Sequence, residues 1–260
     1  MITSTANQQV KQVIQLNKKA KLRNAQDVFV VEGLKMFWEA PKERIEKAYF
    51  SESCFAKMKE QGQQAALAGL SYEVVADHVF KTMSDTQTPQ GVLCLVKQYH
   101  YTLEELLEQE HPLFLVLENL QDPGNLGTIL RTAEGAGVTG VILNREAVDI
   151  YNPKTIRSTM GSIYRVPFLY VEDLKETLAT LREHGVKSYA AHLQGKNTYD
   201  REPYTGGTAF LIGNEGNGLS DELSACADTY IRIPMEGQLE SLNAAVAAAI
   251  LMYEAHRQRG

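Results

Sequence analysis

The sequence predicts an α/β fold, and three observations carry that prediction. Short apolar runs such as VFVV (28–31) and VLCLV (92–96) alternate with helical patterns along the chain. The run LFLVL (113–117) is apolar at every position, as in a strand covered on both faces. A glycine-rich loop, GNEGNG (213–218), follows directly on the apolar run AFLI, and strand carboxyl ends are where ligands bind in open α/β sheets. The expected architecture is a small α/β sandwich over 1–100, a linker over 101–111, and a mostly parallel α/β sheet over 112–260.

The elements follow in order. Residues 7–23 read as one helix entered at Asn7, with Val10, Val13, Ile14 and Leu16 on its apolar side. VFVVEG (28–33) reads as a strand ending in a glycine turn. A helix over 34–39 is stopped by Pro41, and a strand over 45–50, a helix over 55–67 and a strand over 72–75 come next. A short helix over 79–83 and the strand GVLCLV (91–96) close the first unit. The polar segment KQYHYTLEELLEQEHP (97–112), closed by Pro112, marks the boundary.

The second unit opens with the strand LFLVLEN (113–119), turned by QDPGN. A helix over 126–134 ends at Gly135 and Gly137, and VTGVILN (138–144) completes a β-α-β unit. Asn152 caps and Pro153 begins a helix running to residue 160. A strand over 166–170, a helix over 174–184 and a strand over 188–193 lead to the stretch that the others serve, 208–245. There a strand (209–212), the glycine loop, a short helix opened by Ser220, a strand (230–233) and a loop feed an alanine-rich helix starting near Ser241. Both loops follow strands, which points to one shared pocket. Gly213, Gly216 and Gly218 are expected to supply positive φ and close backbone approach. Neither a G-x-x-x-x-G-K-[ST] phosphate loop nor a G-x-G-x-x-G fingerprint is expected anywhere in the chain, so no standard nucleotide cradle is foreseen.

Composition narrows the function classes. With 260 residues, 44% apolar and 22% charged, the chain affords a sizeable core. Cys54, Cys94 and Cys226 form no C-x-x-C pair, so neither a disulfide framework nor a zinc site is expected. No metal-ligand cluster stands out. The first residues, MITSTANQQVKQ, lack an apolar core, and the apolar run 244–253 is shorter than the roughly 20 residues a bilayer span takes. A soluble cytoplasmic protein is the expectation. The net charge of −6 does not advertise a nucleic-acid binder. Its distribution does: the first 25 residues carry Lys11, Lys18, Lys19, Lys21 and Arg23 and no acid, a candidate phosphate-contacting face.

Three ordered segments carry a family pattern: NLQDPGNLGTILRTAEGAGV (119–138), FLIGNEGNGLS (210–220) and IRIPMEGQLESLNAAVAAAILMYE (231–254). They resemble the signature motifs of the SpoU/TrmH family of RNA ribose 2′-O-methyltransferases. FVVEG (29–33) and TPQGVLCLV (88–96) resemble, more loosely, the RNA-binding domain many members carry. The resemblance implies S-adenosylmethionine as cofactor, a trefoil knot in the C-terminal domain, a homodimer and an RNA partner, ribosomal rather than transfer RNA.

It also implies a site. Asn125 and Arg131 match the first motif, Glu215 the second, and Ser241 and Asn243 the third. The family makes Arg131 the base for the ribose hydroxyl. A guanidinium is a poor base, so a hold on the target phosphate and the developing alkoxide stands beside that role. Glu215 takes a proton or serves as counter-ion to Arg131. Ser241 and Asn243 orient ribose or cofactor, with helix capping as the plain alternative. For the cofactor the resemblance points to Leu193, Gly195, Gly213, Gly218, Ile233, Leu242 and Asn243. AHLQGK (191–196) departs from the small-residue turn of relatives, and His192 reads as a packing or hydrogen-bonding residue rather than a catalyst. A catalytically silent RNA-binding or ribosome-assembly factor, or a tRNA enzyme, is the alternative that remains.

Overall fold

The computed structural model describes residues 1–192, 195–236, 238 and 241–260. They form two compact units, Met1–Tyr99 with Asp149–Tyr164, and His100–Val148 with Arg165–Gly260. The units are thus discontinuous in sequence, whereas the sequence reading runs the second domain unbroken from 112 to 260. Aromatic and charged contacts draw the inserted segment to the first unit. Tyr151 stacks on Phe29 at 4.6 Å, and its hydroxyl accepts from the Tyr99 N–H at 2.7 Å. Tyr164 Oη donates to the Met36 carbonyl at 3.0 Å, and Arg157 pairs with Asp85 at 2.7 Å.

The first unit begins with α1 (Gln8–Lys18) and α2 (Ala20–Gln26). The elements β1 (Val28–Glu32), α3 (Leu34–Glu39), β2 (Ile45–Ser51), α4 (Glu52–Glu60), β3 (Tyr72–Val75), α5 (Asp77–Met83) and β4 (Val92–Lys97) follow. The sheet order is β1-β4-β2-β3, antiparallel except for β2 with β3. Val10, Val13 and Leu16 of α1 meet Val79, Phe80 and Met83 of α5 over this sheet. Their spacing along α1 is the helical repeat that predicted the element.

The single helix expected over 7–23 is instead broken at Lys19, which is extended at φ −123° and ψ 105°. The break overturns one expected RNA contact. Arg23 is 3% exposed, and its Nη1 donates to the carbonyls of Leu16 at 2.6 Å and Asn17 at 3.3 Å. Its Nη2 pairs with Asp149. The guanidinium therefore satisfies carbonyls that end α1 and is withdrawn from solvent. Lys11, Lys18, Lys19 and Lys21 remain exposed.

The second unit contains α6 (Leu103–Leu107), β5 (Leu113–Leu117), α7 (Pro123–Ala136) and β6 (Gly140–Asn144). Helix α8 (Pro153–Thr159) belongs to the inserted segment. Then come β7 (Phe168–Val171), α9 (Leu174–Glu183), β8 (Lys187–Ala191), β9 (Asn197–Thr198), β10 (Thr208–Ile212), α10 (Asp221–Ser224), β11 (Thr229–Arg232) and α11 (Ala244–Arg259). The sheet order is β7-β6-β5-β10-β8-β11-β9, and each neighbouring pair runs parallel. Strands β5, β6 and β10 are buried at every position, which explains the apolar runs 113–117, 141–143 and 209–212. Ile212 lies opposite Leu117, so β5 and β10 end at one level and their following loops emerge side by side.

Three local expectations shift. Helix α7 starts at Pro123, within QDPGN, because Asp122 caps it through Asn125 N–H at 2.8 Å and proline is preorganised for the first position. Of the three loop glycines only Gly218 has positive φ, at 70°. The letters G-x-G-x-x-G do occur at Gly135, Gly137 and Gly140, but they run from the end of α7 into β6, the reverse of a dinucleotide cradle.

Replacing Arg23 with alanine leaves Asp149 without its partner and is expected to cost about 3 kcal/mol, the low end for breaking a buried pair, since Asp149 keeps solvent contact. Lys18→Ala is expected to change stability by less than about 0.5 kcal/mol. Urea unfolding of the two variants checks the contrast.

Candidate active site

The loops after β5 and β10 and the N-terminus of α11 meet at the carboxyl edge of the second sheet, tied by a directed chain of hydrogen bonds. Glu215 Oε2 accepts from the Gln121 N–H at 3.0 Å, and Oε1 accepts from the Asp122 N–H at 2.9 Å and from Asn125 Nδ2 at 3.0 Å. Asn125 Oδ1 then accepts from Asn243 Nδ2 at 3.0 Å. Asn243 Oδ1 caps α11, taking the N–H groups of Ala245 at 2.9 Å and Val246 at 3.3 Å. A carboxylate only accepts and a helix N-terminus only donates, so both ends force one orientation on the two amides. Residues 90 and 118 positions apart are held as one unit.

The glycine loop folds back on itself to present Glu215. Asn214 and Gly218 exchange backbone hydrogen bonds at 3.0 and 2.9 Å, and Asn214 Oδ1 accepts from the Gly216 N–H at 2.8 Å. Asn214 Nδ2 donates to the Asn119 carbonyl at 2.8 Å, stitching the loop to the end of β5. A Cβ at Gly213 would lie 2.0 Å from the Gly218 carbonyl carbon, so the chain's own closure demands glycine there. Ser220 donates through Oγ to Glu118 at 2.6 Å and through N–H at 2.7 Å, and so anchors the far side.

Burial raises the Glu215 carboxyl, but the hydrogen bonds from Asn125, Asp122 and Gln121 together outweigh it and hold it below the ordinary 4.5. It is therefore a carboxylate at neutral pH with both oxygens engaged. It does not pair with Arg131, contrary to one expected role. Arg131 is exposed on α7, six positions beyond Asn125, and forms no ion pair among the described residues.

A recess of about 600 Å³ lies near the start of α11, within the range of small-molecule sites. Ile233 and Leu242, both expected at the cofactor, line it together with Met235 and Ile250. Among the described residues the charges lining it are those of Asp200 and Glu236, both negative, which suits a cationic ligand. Gly195 is buried just outside: a Cβ would sit 2.6 Å from the Ile231 carbonyl carbon, at the strand end leading to Ile233. Leu193 lies outside the described residues.

Other placements differ from expectation or were missed. Ser241 is exposed and is not the cap of α11, a part taken by Asn243. His192 packs its ring on Tyr230 at 5.0 Å, one of the two roles expected of it. Asp200 escaped notice because its position depends on β9, a two-residue strand beside β11 that leaves no sequence periodicity. Met235 and Glu236 lie within the third motif and Ile250 within the alanine-rich helix, where no local pattern distinguishes them from their neighbours.

Residues 112–253 match the SpoU rRNA Methylase family, more than half of the chain. The chain belongs to that family. Residues 7–94 of this SpoU methylase match the MRM3-like substrate binding domain. It is 33% identical over 252 residues, 97% of each chain, to the 23S rRNA (guanosine(2553)-2′-O)-methyltransferase RlmP of Bacillus subtilis. It resembles an AdoMet-bound rRNA methyltransferase from Sinorhizobium meliloti at a TM-score of 0.85 and 32% identity, covering 98% and 97% of the two chains. It also resembles the SpoU methyltransferase AviRb of Streptomyces viridochromogenes in complex with AdoMet, at 0.86 and 25% identity over 97% and 98%. S-adenosylmethionine is thus a cofactor of this family, and the α/β fold with its parallel sheet is the family's.

The depressed Glu215 carboxyl fixes the sign of an acid response. The folded protein binds this proton at lower pH than the unfolded chain does, so the stabilisation is complete above 4.5 and is lost as pH falls below it. Glu215→Gln, which presents an N–H₂ to groups that already donate, is expected to cost about 1 kcal/mol at neutral pH and to flatten the acid limb. Thermal midpoints measured between about pH 6 and pH 3 check both.

Proposed function

We infer that this protein transfers a methyl group from S-adenosylmethionine to a ribose 2′-hydroxyl of ribosomal RNA. The observation that carries this reading is the joining of the three family motifs by the Glu215–Asn125–Asn243 chain. The ribosomal substrate is supported by the specificity printed for the Bacillus relative and by the match of residues 7–94 to a substrate binding domain.

The recess fits the cofactor in size and chemistry. Ile233, Met235, Leu242 and Ile250 offer apolar surface for a purine, and Asp200 and Glu236 offer acceptors for hydroxyls and for positive charge. Gly195, Gly213, Gly218 and Leu193 complete the cofactor side of this reading, with Asn243 fixing the loop that ends at Leu242. When bound, S-adenosylmethionine supplies an electrophilic methyl group. Alignment of the ribose oxygen against it is the main task left to the protein.

Arg131 holds the target phosphate and stabilises charge on the ribose oxygen. Its permanent positive charge suits that part and not proton abstraction. Glu215 is a positioning residue, since its two oxygens are occupied by the N–H groups of Gln121 and Asp122, which lead into α7, and by the Asn125 amide. The exposed Ser241 hydroxyl orients the ribose. Lys11, Lys18, Lys19 and Lys21 meet phosphates. Val246 and Tyr253, 48% and 51% exposed on α11, are covered by a second copy in a homodimer. The reading includes a trefoil knot in the C-terminal chain and a cytoplasmic location. Among the described residues no helix is long and apolar enough to cross a membrane.

Purified protein, labelled cofactor and unmodified ribosomal RNA test the reading. Arg131→Ala is expected to lower kcat about 10²- to 10³-fold with cofactor affinity unchanged, and Arg131→Lys is expected to recover part of it. Wild-type protein that binds cofactor and rRNA yet methylates no RNA overturns it in favour of a silent binding factor. RNA affinity is expected to fall with salt, and each of the four lysines changed to alanine should reduce the logarithmic slope by about 0.7 to 0.9.

A further inference from the structure

A second recess, of about 380 Å³, lies wholly in the N-terminal unit, bordered by α3, α4 and the turn before β4. Trp38 lines it and is 41% exposed, a large apolar side chain left open to solvent. Its ring makes an edge contact with Phe37 at 4.9 Å, which leaves the indole a partly uncovered platform. Gln61, Gln63 and Gln90 bring amides to the same recess. The Gln90 Oε1 is taken by the Leu34 N–H at 2.8 Å, which leaves its N–H₂ as donor. Lys57 is the one charged lining residue, in a chain whose net charge is −6. Glycine closes the turn: at Gly91, with φ +88°, a Cβ would lie 2.5 Å from Cys54 Cβ and 2.6 Å from Ser51 Oγ.

A flat aromatic face, amides that donate and accept, and one lining cation, with the nearby Asp77 carboxylate occupied by the N–H and hydroxyl of Ser53, match one chemical object. An unstacked base rests on aromatic side chains, its edge is read by amides, and its phosphate seeks a cation. The volume is that of a small-ligand site, enough for one nucleotide. We propose that this recess binds one unpaired nucleotide of the RNA substrate, with the base stacked on Trp38 and the phosphate held by Lys57. The proposal rests on the reading of the protein as an RNA methyltransferase and gives its N-terminal unit a base-reading subsite of its own.

Trp38 is the only tryptophan in the chain, so its fluorescence reports on this recess alone. Full-length protein is titrated with fluorescently labelled RNA pentanucleotides of each base and with abasic counterparts, following tryptophan emission and label anisotropy together. The expected result is quenching that saturates in step with binding and is absent for the abasic RNA. Trp38→Ala is expected to weaken pentanucleotide binding, and to raise the KM for ribosomal RNA, about tenfold, with kcat and cofactor affinity unchanged. Trp38→Phe restores most of the loss, and Lys57→Ala weakens all four bases alike. Binding by anisotropy without quenching, or Trp38→Ala binding as tightly as wild type with an unchanged thermal midpoint, overturns the proposal and leaves the methyltransferase reading standing. Quenching by an apolar peptide and by no RNA overturns it as well. Failure of the wild type both to bind RNA and to methylate it overturns the underlying reading, and the subsite with it.

Discussion

The arrangement of the second unit depends on one constraint: β5 and β10, distant in sequence, pair in parallel with Leu117 opposite Ile212. Parallel strands start and stop together only when each connection returns the chain to the same edge. Here that shared edge releases the Asn119–Asp122 segment and the 213–218 loop into contact. The hydrogen bonds of Asn214 and Glu215 to that segment are consequences of the register. A shift of one residue would turn every side chain of β10 to the opposite face and take Glu215 away from α7.

Given that edge, charge settles the remainder. The N-terminus of α7 carries unpaired N–H groups and the positive end of a helix dipole, and two carboxylates, Asp122 and Glu215, are spent on it. Asn125 conveys this fixation to Asn243, which caps α11. Helix α11 in turn packs along α7, where Gly135 gives Tyr253 room: a Cβ there would lie 3.0 Å from its hydroxyl. The two helices are therefore coupled at their N-termini by side-chain amides and further along by close contact.

The sequence shows the elements that rest on local chemistry more clearly than those that rest on distant partners. Unbroken apolar runs at 113–117 and 209–212 announced buried strands, and Asn7, Asn152 and Ser220 announced helix starts through the caps they form. The break at Lys19 did not show, because its cause is a guanidinium reaching back to Leu16 and across to Asp149. The same contact disguised Arg23 as a member of a basic face. At the site, the family resemblance pointed to Asn125, Glu215 and Asn243 without showing how they join. The partner of Glu215 is backbone and amide rather than Arg131, a choice made by loop closure at Gly213 and by no local pattern. Asp200 depends on a two-residue strand and was beyond reach.

The segment Asp149–Tyr164 has a consequence for how this protein is made. The first unit is not complete when Tyr99 has been synthesised, because Arg23, Phe29, Met36 and Asp85 still await Asp149, Tyr151, Tyr164 and Arg157. Chains grow at roughly 5 to 20 residues per second, so for some seconds the nascent N-terminal sheet stands with an uncovered aromatic face and an unneutralised guanidinium. Its folding on the ribosome is then a two-step affair, and any cut of the gene at the apparent boundary near residue 100 yields a fragment that lacks part of its own interior.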